Sequence, residues 1–192
     1  MSGGQTSVPL TVIAPTGPSG SAAAHHSDNP HGMLMGLPGI KIAFPSSAAD
    51  FKGLLIESIR EPNPVVFFAD LMLLGKKGDV PEGAYSIEFG KADVKREGTD
   101  VTVVAIGSTV PQALEVADQL AETGVSVEVI DPRTLVPFDW DAVAKSVSKT
   151  GRLVAVDPNR ETCGAASEII TQAVERCWSQ LKAQPQRVTW PN

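Results

Sequence analysis

At 192 residues and 42% hydrophobic, the chain is long enough for one sizeable domain or two small ones. Its formal net charge of −6, with acids and bases interspersed, argues against a nucleic-acid surface, which concentrates Lys and Arg on one face. The longest apolar run, Val65 to Leu74, contains Asp70 and is too short to cross a bilayer, so no membrane partner is expected.

Residues 9–14 (PLTVIA) predict a short strand. The stretch from Pro15 to Gly39 is rich in Gly, Pro, Ser and His and has little periodicity. Structureless stretches of that length inside compact domains tend to be functional or disordered. Ile40 to Phe44 then predicts a strand, and Ser46 or Ser47 an N-cap. The helix that follows runs to about Arg60, with Phe51, Leu54, Leu55 and Ile59 on one face. Pro62 and Pro64 end it, and Val65 to Phe68 is a further strand. One helix cannot cover both faces of a mostly parallel sheet. This first region is therefore expected to be the end of a domain whose beginning lies elsewhere.

Gly75 to Gly83 (GKKGDVPEG) is turn-rich and charged, which predicts a linker. The expected division is 1–76, a linker at 77–84, and a second domain at 85–192. Tyr85 to Lys95 predicts a lead-in strand antiparallel to Val101–Ile106, across the turn REGTD. Val101 to Ile106 is nearly all apolar, as for a strand buried on both faces. Thr109 and Gln112 have capping-box spacing, and the helix after them closes at Gly124. Val125 to Ile130 is the next strand. Asp139 is expected to cap a helix stapled by Phe138 and Val143 and ended by Gly151. Leu153 to Val156, a helix from about Ala165 to Leu181, and a strand at Gln186 to Trp190 complete the chain. Strands separated by helices imply a parallel sheet with right-handed crossovers.

Candidate chemistry is sparse. Cys163 and Cys177 form neither a disulfide framework nor a metal-ligand pattern and fit a reducing cytoplasm. The N-terminus MSGGQTSVPL lacks the basic and apolar regions of a signal peptide. Cys163 sits near a helix N-terminus, with Arg160 the nearest base in sequence, and reads as passive. The loop Gly107 to Thr109 could bind an anion through free amides, although an ordinary capped turn is the simpler reading. No phosphate-binding glycine motif follows any strand. A metal site from His25, His26, His31 and Asp28 lacks supporting spacing. Asp131 and Arg133 are expected to pair across the turn after their strand, leaving Asp139 as a cap.

Several segments together carry a family likeness: HHSDN, LPGIKIAFPSSAADFKGLL, NPVVFF, GKADVKREGTDVTVVAIG, SVEVIDPRTLVPFD and TGRLVAVD. With GGQTSVPL ahead of them, they resemble the β subunit of the thiamine-diphosphate-dependent decarboxylating component of 2-oxoacid dehydrogenase complexes, a relative of transketolase. The resemblance implies an α/β fold. The C-terminal part of a thiamine-diphosphate pyrimidine-binding domain precedes a transketolase C-terminal-like domain with a mostly parallel sheet. It also implies oxidative decarboxylation of a 2-oxoacid with acyl transfer to a lipoyl arm. The implied partners are an α subunit, a second β subunit and the subunit-binding domain of the acyltransferase core, in a heterotetramer.

By the same resemblance, the assembled enzyme uses thiamine diphosphate and magnesium. The cofactor-binding glutamate and aromatic ring lie upstream of this sequence, and the α subunit holds the diphosphate and its metal. No cofactor is expected on this chain alone. His26 corresponds to an active-site histidine near the reacting carbon, where imidazole can move a proton near neutral pH. His25 and His31 match no family histidine. By the resemblance, polar family positions fall here on Ile13, Gly36 and Leu74, and a family carboxylate falls on Ala69, or on Asp70 with a one-residue slip. The implied function is a β-subunit-like component, inactive alone. The alternative is a non-catalytic dimerisation or docking module derived from that subunit.

Overall fold

Two sheets organise the chain, and a computed structural model describes residues 5–18, 23 and 27–191 of it. In the first sheet, β1 (Thr11–Thr16), β2 (Lys41–Ala43) and β3 (Val65–Asp70) run parallel, with β3 in the centre. The second sheet has the order β4 (Asp93–Arg96), β6 (Val127–Asp131), β5 (Val101–Ala105), β8 (Leu153–Arg160) and β9 (Gln186–Trp190). All of its pairs are parallel except β4 with β6. The α/β class with mostly parallel sheets is as the sequence implied. The lead-in strand, however, pairs with β6 rather than with β5 across its own turn.

A short strand, β7 (Thr134–Val136), leaves the second half of the chain and pairs antiparallel with β2 in the first sheet. Adjacent side chains on β3 point to opposite faces. Phe67 packs with Leu54, Ala43 and Phe89 under α2 (Ala48–Arg60). Phe68 packs with Ile42, Phe44, Val104 and Ile106, so one apolar core runs through both sheets. That shared core joins the two halves.

The helices follow their local signals with one exception. Ser47 caps α2, its Oγ accepting the Asp50 N–H at 3.1 Å, worth about 1 kcal/mol. Asp139 caps α4 (Trp140–Thr150) through the Ala142 N–H at 3.1 Å. Phe138 and Val143 are both buried beside it, and Gly151 ends the helix at φ 74°. The exception is α3 (Thr109–Glu122). There Ser108 is the N-cap, and Thr109 turns back to bond the Ile106 N–H and C=O instead of forming a capping box. The last helix, α5 (Ala165–Cys177), passes into a 3₁₀ turn at Trp178–Gln180. Within the stretch read as aperiodic, a short helix, α1 (His31–Met35), is present.

Candidate functional site

Parallel sheets place ligands beyond the carboxyl ends of their strands. At that edge of the first sheet lie Thr16 and Asp70, both buried against the second half of the chain. Asp70 Oδ2 accepts the Ser108 N–H at 2.8 Å, and Oδ1 accepts the Met72 N–H at 3.0 Å. The amide that made the Gly107–Thr109 loop an anion-site candidate is therefore occupied by a carboxylate of this chain. Gly107 permits that approach. Its φ is 55°, and a Cβ there would lie 2.7 Å from the Phe44 ring and 3.0 Å from Asp70 Oδ2.

A second polar seam runs beside the first. His31 Nε2 lies 2.8 Å from Asp157 Oδ1, and both side chains are 0% exposed. Asp157 Oδ2 accepts the Ala166 N–H of α5 at 3.0 Å. The Phe44 and Phe68 rings approach His31 edge-on, with centroids at 5.2 and 6.0 Å. His31 Nδ1 is buried without a hydrogen-bond partner. With no acceptor facing Nδ1, Nε2 is the ring nitrogen that meets Asp157. Next to it, the Asn29 amide donates to the Pro158 carbonyl, and the Thr16 hydroxyl lies 2.7 Å from Asn29 Oδ1. Loop and strand ends of the first half are thus tied to β8 of the second.

This arrangement determines what His31 can do. Sealed from solvent, it touches no diffusing substrate, so it acts as a positioning residue for the segment that leads into α1. His26 and His25 lie outside the described residues. Among the described residues, no group of three or more His, Cys, Asp or Glu side chains could hold a metal ion. His31 is instead engaged by Asp157 and the phenylalanines.

A third cluster surrounds Lys95. Its ammonium lies 2.8 Å from Asp50, 2.7 Å from Asp93 and 3.8 Å from Asp131. The Ser46 hydroxyl donates to Asp131 Oδ2, and Oδ1 accepts the Arg133 backbone N–H at 2.9 Å. The expected Asp131–Arg133 pairing holds only through the backbone. The Arg133 guanidinium reaches Asp50 at 3.4 Å and the Lys91 carbonyl at 3.0 Å, because residue 133 sits at φ 58° and turns its side chain away from Asp131. Burial pushes the Asp131 carboxyl up to about 6, against the opposing pull of Lys95 and Ser46. Burial also raises Asp50, but Lys95, Ser47 and Arg133 together outweigh it and hold Asp50 below its ordinary value.

Asp70, the buried carboxylate at the strand ends, has an N–H on each oxygen and no oxygen dedicated to a cation. Cys163 and Cys177 are free thiols; Cys163 is exposed at φ 60°, and Cys177 is buried under α4. The replaced family positions include exposed Ile13 and Leu74 and buried Ala69. The seam residues His31, Asn29 and Asp157 carried no sequence motif. The faint signals were a carboxylate ending the apolar run LVAVD and an Asn-Pro pair before a helical turn.

Comparison with known proteins finds two family matches along the chain. The transketolase pyrimidine-binding domain family matches residues 1–77, and the transketolase C-terminal domain family matches residues 90–192. The chain is 43% identical over its whole length to the acetoin:2,6-dichlorophenolindophenol oxidoreductase subunit beta of Bacillus subtilis (strain 168), covering 56% of that relative. It is 40% identical, again over its whole length, to the pyruvate dehydrogenase E1 component subunit beta of the same strain, covering 59%. The chain thus spans little more than half the length of these relatives. A solved structure described as a split gene transketolase, an inactive beta4 tetramer, superposes with a TM-score of 0.76 over 97% of this chain and 59% of that one. At 22% identity that likeness establishes the fold alone. No helix among the described residues is long and apolar enough to cross a membrane.

Proposed function

Because the chain belongs to the transketolase C-terminal domain family, with that family's pyrimidine-binding domain ahead of it, we propose that it serves as a β-subunit-like component of a 2-oxoacid dehydrogenase. The observation that carries this reading is the match of the whole of this chain, at 40% identity or more, to 56–59% of two β subunits. The reaction would be oxidative decarboxylation of a 2-oxoacid with acyl transfer to a lipoyl group. An α subunit, a second β subunit and the missing β-subunit elements would complete the site, in the cytoplasm. Thiamine diphosphate and magnesium would sit mainly on those other elements. His26 would act near the reacting carbon. The proposed boundary between the two domains is residues 77–84.

Co-expression with a matching α subunit and a β-subunit N-terminal half tests this. The complex should reduce a dye acceptor in the presence of a 2-oxoacid and lose most of that activity with His26→Ala, while the isolated chain shows none. Turnover by the isolated chain would refute the reading.

A second reading, a non-catalytic dimerisation or docking module, is favoured by Ile13, Gly36 and Ala69 at positions where the family resemblance implies polar groups. It predicts a stable complex whose activity is nil with or without His26.

A further inference from the structure

Between α2 and α3 lies a cleft of about 510 Å³ whose lining includes none of His31, Asn29 and Asp157. That volume falls inside the roughly 300–1,000 Å³ of small-molecule sites. Phe51, Leu73, Leu74, Val110, Pro111 and Leu114 form its apolar walls. Lys76, Lys77 and Lys95 border it, and Asp70 is the one carboxylate among its lining residues.

The charges there do not cancel. Asp70 is engaged on both oxygens by the Met72 and Ser108 amides. Lys95 is held by Asp50, Asp93 and Asp131. Lys76 and Lys77, by contrast, have no ion pair among the described residues. The first turns of α2 and α3 also open on the cleft at Ala48 and Val110, adding the partial positive charge of two helix starts. A compact hydrophilic anion would satisfy the lysines but leave Phe51 and Leu114 facing polar groups. A neutral apolar molecule would leave the lysines unused.

We propose that this cleft binds a small amphiphilic monocarboxylate. Its hydrocarbon chain lies between Phe51 and Leu114, and its carboxylate is met by Lys76 and Lys77. The ligand class follows from charge complementarity at one end of the cleft and apolar walls at the other.

Isothermal titration of the full 192-residue chain with octanoate tests this, alongside octanol, octylammonium and inorganic phosphate. Octanoate should bind one saturable site, octanol and octylammonium more weakly, and phosphate not detectably. The double variant Lys76→Glu/Lys77→Glu alters only exposed positions, and circular dichroism should show its fold unchanged. It should weaken octanoate roughly tenfold or more, as expected for losing charge-assisted contacts. A Val12→Lys/Ile13→Lys variant, altered on the exposed edge strand, should bind octanoate as the parent does. Absent binding at millimolar octanoate, octylammonium binding equally well, phosphate competition, or loss of binding in the edge-strand variant would each overturn the proposal.

Discussion

His31 Nε2 and Asp157 Oδ1 are 2.8 Å apart across the seam between the pyrimidine-domain half and the C-terminal half, and neither side chain meets solvent. The pair is separated by 126 residues in sequence. Together with the Ala166 N–H on Asp157, it binds the start of α1 to the start of α5 through one carboxylate. Residues 29–31 are thereby fixed to the second half of the chain.

Removing the imidazole strands that carboxylate. Leaving a buried acceptor without its donor typically costs about 1–3 kcal/mol, and more when the acceptor is charged. His31→Ala should therefore lower the urea unfolding free energy by about that much. Asp157→Asn keeps an acceptor for only one of the imidazole and the Ala166 N–H and turns an NH2 donor towards the other, so it should destabilise as well. A His31→Ala loss below about 1 kcal/mol would show that the pair contributes no net stability.

Asp131 gives the stability curve a recognisable slope. Its folded value, raised to about 6 from 3.8, means that the folded state takes up a proton before the unfolded state does. Stability from this group therefore rises as pH falls from about 6 towards 4, and its burdened charged form prevails above that window. Asp50, Glu61 and Glu128 behave oppositely. Burial raises each, but Lys95, Lys41 and Lys149 respectively lead the groups that hold them below their ordinary values, so their contribution is lost at more acid pH. Wild type minus Asp131→Asn unfolding free energy should increase between pH 7 and pH 5. A flat difference in urea melts would refute the assignment.

Asp70 fills the loop that precedes α3. Asp70→Ala would leave the Met72 and Ser108 amides without their acceptor, at roughly 1–3 kcal/mol for unsatisfied groups. Thermal unfolding should fall accordingly, and amide exchange at Ser108 should accelerate. Unchanged protection at Ser108 would mean that the carboxylate is dispensable there.

Strand β1 exposes apolar side chains on both faces. Val12 and Ile13, which point to opposite sides, are 44% and 51% exposed, and Val8 and Leu10 extend the patch. Among the described residues β1 pairs only with β3, leaving its outer edge open. Such an edge promotes pairing with another chain. Light scattering should show concentration-dependent association that Val12→Lys/Ile13→Lys reduces. A monodisperse monomer at high concentration would contradict this.

Much of the local architecture was legible in residues near one another. Ser47, Asp139, Gly151 and the Phe138/Val143 staple act where their spacing placed them. The capping box at Thr109 failed because its hydroxyl is recruited by Ile106, while the Ser108 amide at the same helix start is taken by Asp70 from a different sheet. Arg133 was paired with the wrong side chain because its backbone adopts a left-handed turn that no motif announced.

The order of residues determined the α/β alternation, the helix ends and the family resemblance, since each rests on periodicity or on contacts only a few positions apart. Tertiary structure alone decided that β7 joins the first sheet, that His31 meets Asp157, and that Lys95 gathers three carboxylates. The physical reason is that buried polar groups take whichever partner folding brings within hydrogen-bond reach. That partner can lie 126 residues away and leave no periodic trace.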